Sequence, residues 1–144
     1  MKDLNLSSNI GLYSKAIVAG ALTDTVCTLF VLSLLMMALS ATGIPGSEVV
    51  DRMKSPSGLL LGLIIGLGCT VLGGYAAGRI ARRSEVALGA AVAVVGMVFG
   101  AFVRESGLPL WHDIIGFAAM IPCGIVGGRF AAAYNREKAG GQGS

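Results

Sequence analysis

The chain has 144 residues, one domain by length, with a net charge of +3 and a mean hydropathy of +0.77. Residues of the AVILMFWYC set make up 54 %, and 22 glycines bring the apolar-plus-glycine share to about two-thirds, against roughly 45–50 % in soluble domains. A soluble fold of this size has too little interior to hide so much apolar surface, and no aromatic-interleaved basic patch speaks for nucleic acid.

The first apolar run, Ala16 to about Thr42, is longer than the ~7–15 residues of a signal-peptide core, which makes it a transmembrane helix. It carries one acid, Asp24. That residue lies nine positions past Lys15, so at ~1.5 Å per residue it sits near mid-membrane. Gly20, Thr23, Cys27 and Thr28 share its face by helical spacing, so this side should point into a bundle. A carboxylate at that depth costs at least ~2.5–3.5 kcal/mol and normally faces a partner or water. Asp24 is expected either to be protonated or to pair with Arg79 or Arg129, near the same ends of the second and fourth runs. With Thr23 and Thr28 they form the expected intramembrane polar site.

The second run, about 57–78, follows a loop over 43–56. In it Gly58, Gly62, Gly66, Thr70, Gly74 and Gly78 recur every fourth residue. Small residues let two helix backbones approach, and such packing drives association in lipid. A repeat of four exceeds 3.6, so the row winds around its helix. The third run, about 85–103, holds Gly89, Ala93, Gly96 and Gly100. The fourth, about 111–133, holds Gly116, Met120, Gly124, Gly128 and Ala132. The expected helix-packing set is therefore Gly58, Gly62, Gly66, Gly74 and Gly78 with Gly116, Gly124 and Gly128, a glycine-zipper pattern. The first helix, Leu-rich past Leu29, should be peripheral and the second most buried.

At an offset of 54 residues Gly62/Gly116, Cys69/Cys123, Gly73/Gly127, Gly74/Gly128, Ala77/Ala131 and Arg82/Arg136 coincide. This raises a parallel duplication of a helical hairpin. Trp111 opens the fourth run as an interfacial anchor, Asp113 suits a helix N-terminus, and Pro122 should kink the helix. The whole reads as an all-α four-helix transmembrane bundle over 1–138, with a disordered tail at 139–144.

The cations set orientation. Lys2, Lys15, Arg79, Arg82, Arg83, Arg129, Arg136 and Lys138 fall on one side, and Arg52, Lys54 and Arg104 on the other. Both termini are then expected in the cytoplasm, with a bacterial inner (plasma) membrane as the setting. Cys27, Cys69 and Cys123 lie at similar depth, and with Met97 and Met120 they could suit a soft metal. However, there is no CxxC and no intramembrane histidine, so packing is the expected role, with no metal site and no cofactor. The chain has no nucleophile motif, HExxH, phosphate loop or CxxCH, and no enzyme is expected. The expected partners are the lipid bilayer and either other copies of the chain or other membrane subunits. The expected function is packing-mediated assembly, as a homo-oligomer or a stabilising subunit. The alternative is a small oligomeric transporter or channel using Asp24 as its ion or proton site.

Overall fold

The computed structural model describes residues 3–102 and 108–140. It is all-helical there: α1 spans Asp3–Ala41, α2 Gly46–Lys54, α3 Pro56–Ala81, α4 Glu85–Phe102 and α5 Leu110–Gly140. The four long helices, α1, α3, α4 and α5, are each long and apolar enough to cross a membrane. Helices suit that role because every backbone N–H and C=O is satisfied within the segment. The chain is therefore a polytopic membrane protein with four spanning helices. Arg104 and the 141–144 end of the expected tail lie outside the described residues.

Two differences from the sequence reading concern helix limits. The expected tail does not begin at 139, because α5 runs on through Ala139 to Gly140. Alanine, lysine, arginine and glutamate in "AAAYNREKA" are good or neutral helix formers, so nothing stops the helix before the glycine pair. The 43–56 segment is also not all loop, since it contains α2. That helix buries Val49 (2 % exposed), carries Arg52 and Lys54 in its last turn and pairs Arg52 with Glu48 at 2.9 Å. Ser55 ends α2 and caps α3: its side chain accepts from the Gly58 N–H at 3.2 Å, with Pro56 in the first turn of α3. Gly58 makes this elbow possible, because a Cβ there would strike the Arg52 and Met53 carbonyls.

α3 is the central helix. It packs against α1, α2, α4 and α5, whereas α1 and α5 do not meet among the described residues. α1 is peripheral, lining the outside with exposed Leu22, Val26, Leu29, Phe30 and Met37. The close-packed core lies in the half of the bundle near the C-terminal end of α3, where Ala16, Ala77, Ala81, Leu88 and Val92 form one cluster with Tyr13 and Ile17 against it. Small residues dominate this core, so the helices approach backbone to backbone.

The possible duplication is mirrored in part: α1 packs on α3 as α4 packs on α5, but α3 also meets α4 whereas the corresponding pair, α5 and α1, does not meet among the described residues. The paired positions also face different partners: Gly73 lies against Gly20 and Asp24 of α1, whereas Gly127 lies against Val71 and Tyr75 of α3.

Candidate functional site

Asp24 faces inward, 8 % exposed, against Gly73 of α3 and Gly96 of α4. Its neighbour is Thr70 of α3, itself 1 % exposed, whose Oγ1 donates toward the carboxylate at 3.3 and 3.4 Å from the two oxygens. The same hydroxyl is 3.1 Å from the Gly66 carbonyl. One O–H has one proton, so Thr70 serves either Asp24 or Gly66 at any moment. If Asp24 carries a proton it can donate to Thr70 Oγ1 while Thr70 donates to Gly66, and every group is satisfied. An ionised Asp24 would have only a shared donor.

Glycines shape the niche. A Cβ on Gly73 would sit 2.9 Å from the Asp24 Cβ, and one on Gly96 would sit 3.4 Å from Asp24 Oδ2 and 3.0 Å from the Met120 methyl. The acid is thus bounded by α3 and by the bare backbone of α4, and the Met120 methyl of α5 lies against that same Gly96. Cys69, next to Thr70 on α3, is buried, and Cys27 and Thr28 of α1 are half-buried.

The arginines expected to pair with Asp24 do not. Arg79 is held at its own end of the bundle: its Nη1 donates to the Tyr75 hydroxyl at 2.9 Å, and its guanidinium lies 4.0 Å from the Tyr134 ring centre. Arg129 is exposed on the outer face of α5. Neither forms an ion pair with Asp24: Arg79 is held by its hydroxyl and ring contacts, and Arg129 points away from the bundle. Thr23 also leaves the site. It is exposed on α1 and its hydroxyl donates to the Ala19 carbonyl at 2.8 Å. Of the expected polar set, Asp24 and Thr28 remain together.

Thr70 is the site residue that the sequence reading did not assign to Asp24. The signal was present: in the row at 58, 62, 66, 70, 74 and 78 it is the one member with a hydroxyl, and it meets the one acid of the first run.

The glycine row divides. Gly74 lies against Gly124, where a Cβ would be 2.6 Å from the Gly124 carbonyl oxygen. Gly78 lies against Ala131, and Gly128 against Glu85 and Val86. Gly124 also lies against Gly89, and Gly116 touches Leu63. Gly62 and Gly66, expected to pack, have nothing within 4 Å of where a side chain would stand, and Gly68 is equally open. At about 100° per residue, each step of four drifts about 40°, so the row turns by about 200° from 58 to 78. One helix face cannot hold it. Beyond Thr70 the gap between helices is also filled by larger side chains, such as Leu63 and Phe117.

At the far end Asp113 lies in the first turn of α5, with its Oδ1 3.5 Å from His112 Nδ1, and Trp111 meets the His112 ring edge-on. Pro122 stands inside α5 without ending it. The cysteines are free thiols, and no group of three or more His, Cys, Asp or Glu comes together among the described residues. Comparison with known protein families, curated proteins and solved structures found no match.

Proposed function

We propose that this chain is a non-enzymatic integral membrane protein that works by lateral helix association, as a homo-oligomer or as an assembly subunit of a larger membrane complex. The observation that carries the reading is the open glycine set on α3. Gly73, Gly74 and Gly78 are consumed by the fold, whereas Gly62 and Gly66, one turn apart, have nothing among the described residues within 4 Å of where a side chain would stand. Each glycine costs a helix up to ~1 kcal/mol relative to alanine in water, and in lipid a bare GxxxG backbone is useful where a second helix comes close. This is a glycine zipper whose inner half builds the protomer and whose outer half receives a partner. The setting is a bacterial inner membrane with both termini cytoplasmic, supported by the excess of Lys and Arg on one side.

Native mass spectrometry of the protein, extracted mildly from its own membrane, tests this. A mass above that of one chain supports the reading, whether the extra mass is further copies or a foreign subunit. A single chain under conditions that preserve other complexes refutes it.

The second reading, a transporter or channel, draws on the buried Asp24 carboxyl, which among the described residues has the Thr70 hydroxyl as its partner and no ion pair. Intramembrane acids mark ion and proton paths often enough to warrant the test. Proton or cation flux in liposomes should then vanish in Asp24→Asn with the fold intact, and unchanged flux excludes this reading.

A further inference from the structure

We infer that the cleft between the C-terminal ends of α3 and α5 is a binding site for the phosphate headgroup of an anionic glycerophospholipid. A cavity of about 370 Å³ opens there, lined by Arg79, Arg82, Tyr134, Asn135 and Lys138. Three of these are cations, and none of the three forms an ion pair among the described residues. Nearby Glu85 is engaged instead by Asn135, whose Nδ2 donates to its Oε1 at 3.2 Å and lies 3.3 Å from the Gly78 carbonyl.

Arg79 is pre-positioned. One of its five N–H groups is used by the Tyr75 hydroxyl, and the Tyr134 ring supports its face, which leaves donors free for phosphate oxygens. Arg82 caps α3 in the left-handed region at φ 51, a conformation that costs a non-glycine residue energy, and its side chain lines the cavity.

The source of the phosphate follows from what lies beside the cavity. Along α5, Val126 and Phe130 precede Tyr134 and Lys138 at steps of four, and Val126, Phe130 and Tyr134 are all exposed. On α3, exposed Leu72 precedes Tyr75 and Arg79 on the same side. An apolar track that rises from the membrane into a basic cavity fits acyl chains below and a headgroup above. Basic pockets between helices on the cytoplasmic side are where anionic lipid headgroups bind, and this cavity is at the end expected to be cytoplasmic. A soluble phosphate would have no use for the track.

The test is native mass spectrometry of the purified full chain in neutral detergent, titrated separately with phosphatidylglycerol and phosphatidylcholine. Phosphatidylglycerol adducts should persist at concentrations where phosphatidylcholine adducts do not. Arg82→Gln and Lys138→Gln should each weaken phosphatidylglycerol retention about fivefold, the effect of one cation near an anionic headgroup. Both side chains are exposed, so the fold should survive, and Arg83→Gln, outside the cavity, should have no effect. Equal retention of the two lipids, or retention insensitive to Arg82→Gln and Lys138→Gln, overturns the inference. Displacement of the lipid by millimolar inorganic phosphate also overturns it, because the site would then be one for soluble phosphate.

Discussion

Gly73→Ala and Gly62→Ala add the same methyl group to the same helix, and they should have opposite effects on the fold. In Gly73→Ala the new Cβ would stand 2.7 Å from the Gly20 carbonyl oxygen and 2.9 Å from the Asp24 Cβ, where ordinary contact begins at 3.4 Å. Both neighbours are rigid: one is backbone and the other is the first side-chain atom of a buried residue. α1 must therefore back away from α3 by about 0.7 Å at this level, and a gap of that size forfeits a quarter to a half of each dispersion contact across the seam. For about 30 atom pairs at 0.1–0.2 kcal/mol each, the loss is about 1–3 kcal/mol, the usual range for overpacking. In Gly62→Ala the methyl meets nothing within 4 Å, and the helix gains up to ~1 kcal/mol of propensity. Unfolding of the protein dissociated to single chains in detergent, by graded sodium dodecyl sulfate and followed by Trp111 fluorescence and far-UV circular dichroism, measures both. The reasoning fails if Gly73→Ala is as stable as the parent, or if Gly62→Ala loses as much as Gly73→Ala.

Thr70→Val keeps the shape of a fully buried side chain and removes the hydroxyl that meets Asp24; it should cost about 0.6–1.7 kcal/mol in the same titration. Asp24→Asn retains a polar group that can bond Thr70 and should stay within about 1 kcal/mol of the parent, whereas Asp24→Lys should prevent the α1–α3 seam from closing, read as loss of folded protein in the membrane. Asn135→Ala removes a side chain that bridges the Gly78 carbonyl and the Glu85 carboxylate, so α5 should loosen at its C-terminal end. Faster amide exchange over 131–140 and a loss of about 0.5–1.5 kcal/mol are expected. Val49→Asp should release α2 from α3, seen as protease cleavage within 43–55 while the four spanning helices stay protected.

The four spans were legible because lipid imposes a minimum length and an apolar surface, and both are written directly into hydropathy. α2 was not legible. At nine residues it is shorter than the window of about 11–18 residues over which helical periodicity is read. The inward direction of Asp24 followed from the small and polar residues at helical spacing around it. Its partner did not, because charge complementarity pointed to Arg79 and Arg129. Arg79 instead found Tyr75 one turn back on α3 and the Tyr134 ring of α5. Thr23 illustrates the limit of face arguments: it lies one residue from Asp24, about 100° around the helix, and that angle puts it outside the bundle. For the glycines, a four-residue repeat on a 3.6-residue helix forces a turn of about half the circumference, so Gly74 and Gly78 meet other helices whereas, among the described residues, Gly62 and Gly66 do not. Where along the row contact is lost depends on how closely α1, α4 and α5 approach, and that is set by tertiary packing.

The claim that most needs direct test is that the outer half of α3 receives another helix. A photoactivated cross-linker attached through a cysteine at position 62 (Gly62→Cys, with Cys27, Cys69 and Cys123 replaced by serine) can be fired in intact native membranes. The same reagent on Leu22→Cys, an exposed position of α1, serves as the lipid-facing reference. The account predicts a discrete protein adduct from position 62, to a second copy or to a foreign subunit, in clear excess over position 22. Equal adduct yields at the two positions, or lipid adducts alone at position 62, would contradict it.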